Sequence, residues 1–582
     1  MICAERSLEE SHRVMPPCLR PRSARGSYGL IFPGLMLIVS TTVFAAAPTL
    51  TSLNPAGGQR GTKVTVTCTG SFTWPVSVFA PGVDVAVGTD SGKLDITIPA
   101  DLLADRVWIR LYNPEGASSL LPFLIGNRPE VTEVEPNNER KEAQVVTQGS
   151  VVNGVLQSGG DVDGYAVDLL AGETLVAALD ANTRLGSPMD AMMQIVTPNG
   201  TVLAENNDQI GLDPRIAYTA RQGGRHIVRI FAFPSNPNQS IAFAGAPTYI
   251  YRLTLTTGPY VTHGAPLSVP AADPGTVEVL GWNVPPNTIL PVRPYGQDRL
   301  SDSMEYEVQN DVRTSSEDRF GLAFLPDVPD TLRVRMTPFP SLRGIVLAEQ
   351  SAPPVLAPPT ALTGCLRLPR QTDHFQIPLK KDQRLLITAE TRGVDSLLDA
   401  PIIRLFDPAE KMVAEINQPA PAQVYHLAHA AAVDGTYRLT VHDRLGRGGD
   451  QNFYRLTARL DEPDFELTGA SDALVLAHDK PTEFVVNVVR RASPSASIGP
   501  ITIEAVDLPP GVTAPSVTSE PSGPTAAKVT LSFTNAGMPF SGRIRIVGKT
   551  TQPSEFSRSA RTPATFGVCF DQFWITALAK PQ

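Results

Sequence analysis

The chain has 582 residues, of which 42% are hydrophobic and 18% charged, with 45 glycines, 54 prolines and a formal charge of −9 at neutral pH. That length exceeds what a single core organises, since domains hold about 100–200 residues, so about four or five are expected. Prolines spread along the whole length exclude long helices and a low-complexity protein, and an acidic chain without a basic stripe lacks the electrostatic footprint of a nucleic-acid binder.

Residues 1–47 differ from the rest. Five arginines precede the apolar run "GLIFPGLMLIVSTTVFAAA", which ends in the small residues Ala45, Ala46 and Ala47. This is the pattern of a secretory signal, with Met15 an alternative start. Its removal takes away five arginines and three glutamates and leaves a chain near −11, without a membrane span. Cys3 and Cys18 fall within this segment, and Cys68, Cys365 and Cys569 stand hundreds of residues apart among alternating apolar neighbours. Neither a disulfide framework nor a CxxC metal site can be drawn, and buried thiols are expected.

Residues 48–128 carry "TKVTVTCTG" and "DRVWIRLYN", whose period of two places Val64, Val66 and Cys68 on one face of a strand. Residues 129–261 open with "PEVTEVEPNNERKEAQ" and run into "GGDVDGYAVDLLAGETL", where Tyr165, Val167 and Leu169 alternate with Ala166 and Asp168. Residues 262–358 carry, from Asp273, "DPGTVEVLGWNVPP", similar to "QRGTKVTVTCTGSF" of the first segment. Residues 359–461 repeat the second segment: Gly154 answers Gly364, Asp163 answers Asp373, Tyr165 answers Phe375, and Leu175 answers Leu385. The match resumes after a slip of one residue, with Ser187 on Ser396, Asp190 on Asp399 and Pro198 on Pro408. Residues 462–582 again alternate, in "EFVVNVVRR", "AKVTLSFTN" and "GRIRIVG". Turn residues fall about every ten positions, the rhythm of β-sandwiches. The expectation is an all-β chain of tandem jelly-roll and Ig-like sandwiches, held as an extended array by stiff joints such as "SAPPVLAPPT".

The order E-x-EPNN, GDVDGY, AGETL, LGSPMD and YRLT resembles the bacterial pre-peptidase C-terminal domain, a jelly-roll module attached to secreted proteases. It does so over 129–261 and, in degenerate form, over 359–461. The opening "PAGGQRGTKVTVTCTG" is similar to TIG-like Ig domains, and "DLPPGV" in the last segment to an Ig-like domain. The resemblance implies attachment, solubility or substrate docking rather than catalysis. It also implies calcium held by Glu133, Glu135, Asn137, Asp161 and Asp163. Carboxylate and amide oxygens suit that hard cation, although a solvated connector turned by Asn137 and Asn138 is equally compatible with the residues. In the second copy Gln371 replaces Asp161 and no EPNN precedes it, so no metal is expected there.

No catalytic residue is assigned. GxSxG, HExxH and P-loop patterns are missing from the sequence. His426 and His429 lie in a stretch that pairs with the strand-like "RIAYTA" and read as structural. Asp208 and Asp213 read as an ordinary turn, and Ser187 and Asp190 as side chains closing their own turn. The expected protein is a secreted, non-catalytic binding or scaffold protein for a surface polymer, matrix or protein partner. The alternative is an accessory docking component of a secreted peptidase system.

Overall fold

The computed structural model describes residues 46–236, 242–294, 305–307, 319–324, 331–343, 353–391, 394, 396–418, 424–491, 496–566 and 568–580. The expected signal segment therefore lies almost wholly outside the described residues. Among them one helix occurs, the single turn Asn182–Leu185, and the rest of the regular structure is strand. The period of two read from the sequence is realised as burial: Asp373, Phe375, Ile377 and Leu379 point inward while Thr372, His374 and Pro378 face water. Five apolar clusters follow one another along the chain, so each segment holds its own core.

The first sandwich sets the sheet Thr49–Asn54, Lys63–Ser71, Lys93–Thr97, Asp84–Val87 against the sheet Gly57–Gln59, Leu121–Gly126, Arg106–Asn113, Ser77–Phe79. The second has two five-stranded sheets. One runs Glu130–Thr132, Ser150–Val155, Ile250–Thr256, Thr174–Asp180, Arg215–Thr219; the other runs Gln144–Val145, Asp163–Leu169, Gly224–Pro234, Met189–Val196, Val202–Asn206. Val152, Tyr165, Leu175, Met193 and Leu253 interdigitate between them with no exposed surface to speak of. Burial on this scale is worth about 1.5–3 kcal/mol per large apolar side chain.

The fourth sandwich reproduces this strand order, with Ser341–Arg343, Thr360–Cys365, Phe453–Leu460, Arg384–Glu390 and Val424–Ala430 in one sheet. Its other sheet holds Thr372–Leu379, Gly435–Asp443, Pro401–Phe406 and Met412–Ile416. The repeat reaches further toward the N-terminus than sequence similarity shows. Ser341–Arg343 runs parallel to Thr360–Cys365 just as Glu130–Thr132 runs parallel to Ser150–Val155, and the parallel bridge Val355–Gln376 mirrors the pair Val145–Ala166. The third segment forms a six-stranded sheet whose opening pair, Tyr260–Ala265 on Thr276–Trp282, is bulged between Val261 and His263. The first sandwich is bulged at the same place, between Leu50 and Ser52.

The sandwiches are tandem, but they are not strung out as the proline joints suggested. Residues from Ala45 onward pack as one unit. Trp108 of the first sandwich stands edge-on to Phe570 of the last at 5.1 Å and stacks on Phe566 at 6.2 Å, while Tyr112 and Phe79 flank Trp574 at 4.9 and 5.3 Å. Arg110, almost wholly buried, pairs with Asp472 across the same junction. Stiff linkers set spacing, whereas exposed aromatic faces on both partners decide where the chain closes. Further joints are ionic: Glu390 lies buried between Arg455 of its own sheet at 2.7 Å and Arg335 of the third segment at 3.2 Å. The guanidinium of Arg252, at the matching position of the first copy, lies so near the first sandwich that a Cβ on Gly57 would come within 2.6 Å of it.

Cys68 and Cys569 are buried and Cys365 half-buried, all as free thiols. Burial pushes the Cys68 thiol up to about 12, which removes its nucleophilic form at neutral pH.

Candidate metal centre

The segment that follows Glu130–Thr132 is steered by its register on the sheet. Continuing that parallel pairing, the Glu133 amide donates to the Asn153 carbonyl at 3.0 Å. The Glu133 Oε2 then accepts from the Val155 amide at 2.6 Å, and the Glu135 Oε2 from the Asn137 amide at 2.9 Å. Beyond Pro136 the chain crosses the start of the strand Asp163–Leu169. There the Asn137 carbonyl accepts from Gly164 at 3.1 Å, and Asn138 Oδ1 accepts from the Val162 amide at 3.2 Å. A Cβ at Gly164 would lie 2.9 Å from that Asn137 oxygen, so the GDVDG stretch needs glycine for this close approach.

One oxygen from each of Glu133, Glu135 and Asp163 falls within 4.8 Å of the others. Asp163 is fully buried; its Oδ2 accepts from the Tyr251 hydroxyl, which itself touches the Tyr165 hydroxyl at 2.5 Å. Gly154 makes room for that tyrosine, since a Cβ there would meet Tyr251 Cζ at 2.3 Å. Buried polar atoms without a hydrogen-bond partner occur on these residues and beside them in the chain: Glu133 Oε1, Asp163 Oδ1, and both Oδ1 and Nδ2 of the wholly buried Asn137. Leaving buried polar atoms unpaired costs about 1–3 kcal/mol each, so a set of them in one place calls for a ligand.

The electrostatics point the same way. Among the described residues no lysine or arginine pairs with Glu133, Glu135, Asp161 or Asp163. Desolvation, followed by mutual repulsion with Glu135 and Asp161, drives Glu133 up to about 8, and desolvation together with the Glu133 charge drives Asp163 up to about 9. Such a cluster either holds protons or holds a cation.

Three of the five residues singled out in the sequence, Glu133, Glu135 and Asp163, thus converge; Asn137 reaches them through its backbone amide on Glu135, and Asp161 takes a different role. Its Oδ2 accepts from Gln157 at 2.6 Å and its Oδ1 from Val162 at 3.0 Å, which closes the turn that delivers Asp163. The second copy is an internal control. Asp373 keeps the tyrosine partner, here Tyr454, but its second oxygen accepts from Gln371 Nε2 at 2.7 Å. The side chain that replaces Asp161 supplies the donor that Asp163 lacks. In the sequence the residues that follow Arg343 are Gly344, Ile345 and Val346, none of them a carboxylate or an amide.

The other acidic and histidine residues are accounted for locally. Asp213 is buried and accepts from the Asn182 and Thr183 amides at 2.7 and 2.9 Å, closing the loop as a turn does. Ser187 and Ser396 do not only close their own turns. They donate to Thr248 and Gln451 carbonyls at 3.3 and 3.1 Å, because the turn lies against the loop that feeds the last strand of each copy. His426 and His429 sit on the strand Val424–Ala430 three residues apart, and therefore on opposite faces.

No family model matches the chain, and no curated protein does. Among solved structures, the pre-peptidase C-terminal domain of a collagenase from Bacillus anthracis is similar over 19% of this chain and 98% of its own, at 12% identity and a TM-score of 0.16. The N-terminal four Ig domains of Dscam1 isoform 1.9 are similar over 92% of this chain and 100% of theirs, at 10% identity and a TM-score of 0.19. Likenesses this slight carry no functional argument, and the tandem β-sandwich fold stands on the strand pairings above.

Proposed function

We propose that the chain is an exported, non-catalytic binding or scaffold protein of the cell envelope or extracellular space, whose first repeat is a calcium-stabilised module of the pre-peptidase C-terminal type. The observation that carries the metal reading is the contrast between the two copies: unpartnered buried oxygens on Glu133, Asn137 and Asp163 in the first, and a Gln371 amide satisfying Asp373 in the second. Glu133, Glu135, Asn137 and Asp163 would hold the ion, with Asp161 shaping the turn beneath them. A bound divalent cation supplies positive charge that lets the buried carboxylates ionise, and so ties the segment 133–137 to the sheet. Export supports calcium over a scarcer metal, because extracellular calcium modules work at dissociation constants of about 10⁻⁴–10⁻³ M.

Acid/base catalysis is the poorer reading of the same carboxylates. Asp163 is completely buried and its Oδ2 is taken by the Tyr251 hydroxyl. Isothermal titration of calcium into the full chain tests the metal: saturable heat with the wild type and none with Asp163→Asn is expected. Equal heats from both would remove the site. Recovery of glycan or matrix from an envelope fraction supports the scaffold reading, and recovery of a peptidase favours the accessory alternative.

A further inference from the structure

The end of the fourth sandwich that corresponds to the calcium end of the second has a different surface. Leu368, Leu397 and Leu445 are 53%, 45% and 69% exposed, each on its own loop. The three loops are joined: the Arg370 amide donates to the Gly446 carbonyl at 3.1 Å, and the Leu397 amide to the Gln451 carbonyl at 2.8 Å. A Cβ on Gly448 would lie 2.3 Å from the carbonyl carbon of Leu368. Four arginines interleave with the leucines. Arg367 pairs with Asp450 at 3.3 Å, Arg447 with Asp399 and Asp443 at 3.1 and 3.2 Å, and Arg444 donates to Asn417. Arg370 has no acidic partner among the described residues. Four guanidiniums thus face three carboxylates, a local positive excess in a chain of net charge −9.

The fold does not require these residues. In the first copy the same turn reads Gln157, Ser158, Gly159, Gly160, where the second reads Arg367, Leu368, Pro369, Arg370. Both turns close with the same hydrogen bond, Asp161 to Ser158 at 3.2 Å and Gln371 to Leu368 at 3.1 Å. Gly160 has φ of 92° and Arg370 has φ of 62°, so the second copy places an arginine in a left-handed conformation that suits glycine. Leu397 likewise stands where the first copy has Pro188. In this turn, leucine and arginine stand where the first copy closes the same hydrogen bond with serine and glycine.

We propose that this loop tip is a docking surface for an anionic phospholipid membrane. The leucines enter the boundary between headgroups and acyl chains, and the arginines, Arg370 foremost, meet phosphate oxygens. Large exposed apolar groups at adjoining positions mark interaction sites, and their mixture with guanidinium groups is the chemistry of an anionic interface. The surface uses none of the proposed calcium ligands, so it stands or falls independently of them.

Vesicle flotation of the full chain tests it, with phosphatidylglycerol–phosphatidylcholine vesicles against phosphatidylcholine alone, in EDTA. Flotation with the anionic vesicles only, weakened by added salt, is expected. Leu368→Ser and Leu445→Ser should each reduce binding about tenfold, from the lost burial of one leucine. Arg370→Gly, which restores the first copy's residue, should reduce it about fivefold while raising thermal stability. Absence of flotation at either composition, flotation unchanged by these substitutions, or leucine-dependent capture of a protein without lipid binding would each overturn the proposal.

Discussion

Unfolding the full chain with and without added calcium, and with Asp163 replaced by asparagine, separates the two states proposed for the Glu133–Asp163 cluster. In EDTA the carboxyls of Glu133 and Asp163 keep protons up to about pH 8 and about pH 9, with burial as the leading cause. In the unfolded chain both ionise near about pH 4. Each group therefore contributes stability that is fully present below its unfolded pKa and lost as pH rises through its folded pKa. The loss is about 1.4 kcal/mol per pH unit for each extra proton the folded state holds. Calcium reverses this trend, because its ligands must be deprotonated and its affinity grows with pH. At a concentration of about 100 times the dissociation constant it adds about 2.7 kcal/mol, or about 5–11 °C on the transition of a domain of this size. Thermal unfolding followed by calorimetry between pH 5 and 8, in EDTA and in calcium, reads both effects. One transition should fall with rising pH in EDTA and hold in calcium. Asp163→Asn keeps the Tyr251 hydroxyl near an amide oxygen and should abolish the calcium response and much of the pH slope. An EDTA profile flat across this range, or a calcium response retained by Asp163→Asn, would refute the reasoning.

Gln371→Asp removes the amide that donates to Asp373 and sets a second carboxylate beside it. It should lower the fourth sandwich's transition by about 1–3 kcal/mol at neutral pH without creating a calcium response, since Gly344, Ile345 and Val346, which follow Arg343 in the sequence, bring no carboxylate. Glu390→Gln leaves Arg455 and Arg335 buried against a neutral group and should cost about 3–5 kcal/mol, seen as a fall in the denaturant midpoint. Trp108→Ala should weaken the junction of the first and last sandwiches by about 3–5 kcal/mol and raise the radius measured by small-angle scattering. An unchanged radius would show that the junction does not depend on this ring.

The all-β character, the period-two burial of strands such as Thr372–Leu379 and the doubling of one module were legible in the residues, because inward and outward faces of a strand are written as alternation. The strand Ser341–Arg343 escaped notice, although it belongs to the second copy's sheet. A three-residue edge strand is held by backbone hydrogen bonds, so its side chains are free to diverge from those of Glu130–Thr132. The internal repeat also raised the expectation of a second copy without metal. It did not foretell that Gln371 would donate to Asp373, which depends on a side-chain amide lying 2.7 Å from that carboxylate.

Composition and spacing alone therefore determined the fold class and the tandem order, since these follow from local periodicity, whereas the set Glu133, Glu135, Asn137, Asp161 and Asp163 came from the motif resemblance. Tertiary structure alone decided that Asp161 caps a turn, that Tyr251 and Tyr165 wall in Asp163, and that the first and last sandwiches meet through Trp108, Phe566 and Phe570. Those contacts join residues tens to hundreds of positions apart. Their energies depend on burial and on the unpaired atoms left behind, and neither quantity exists until the sheets have packed.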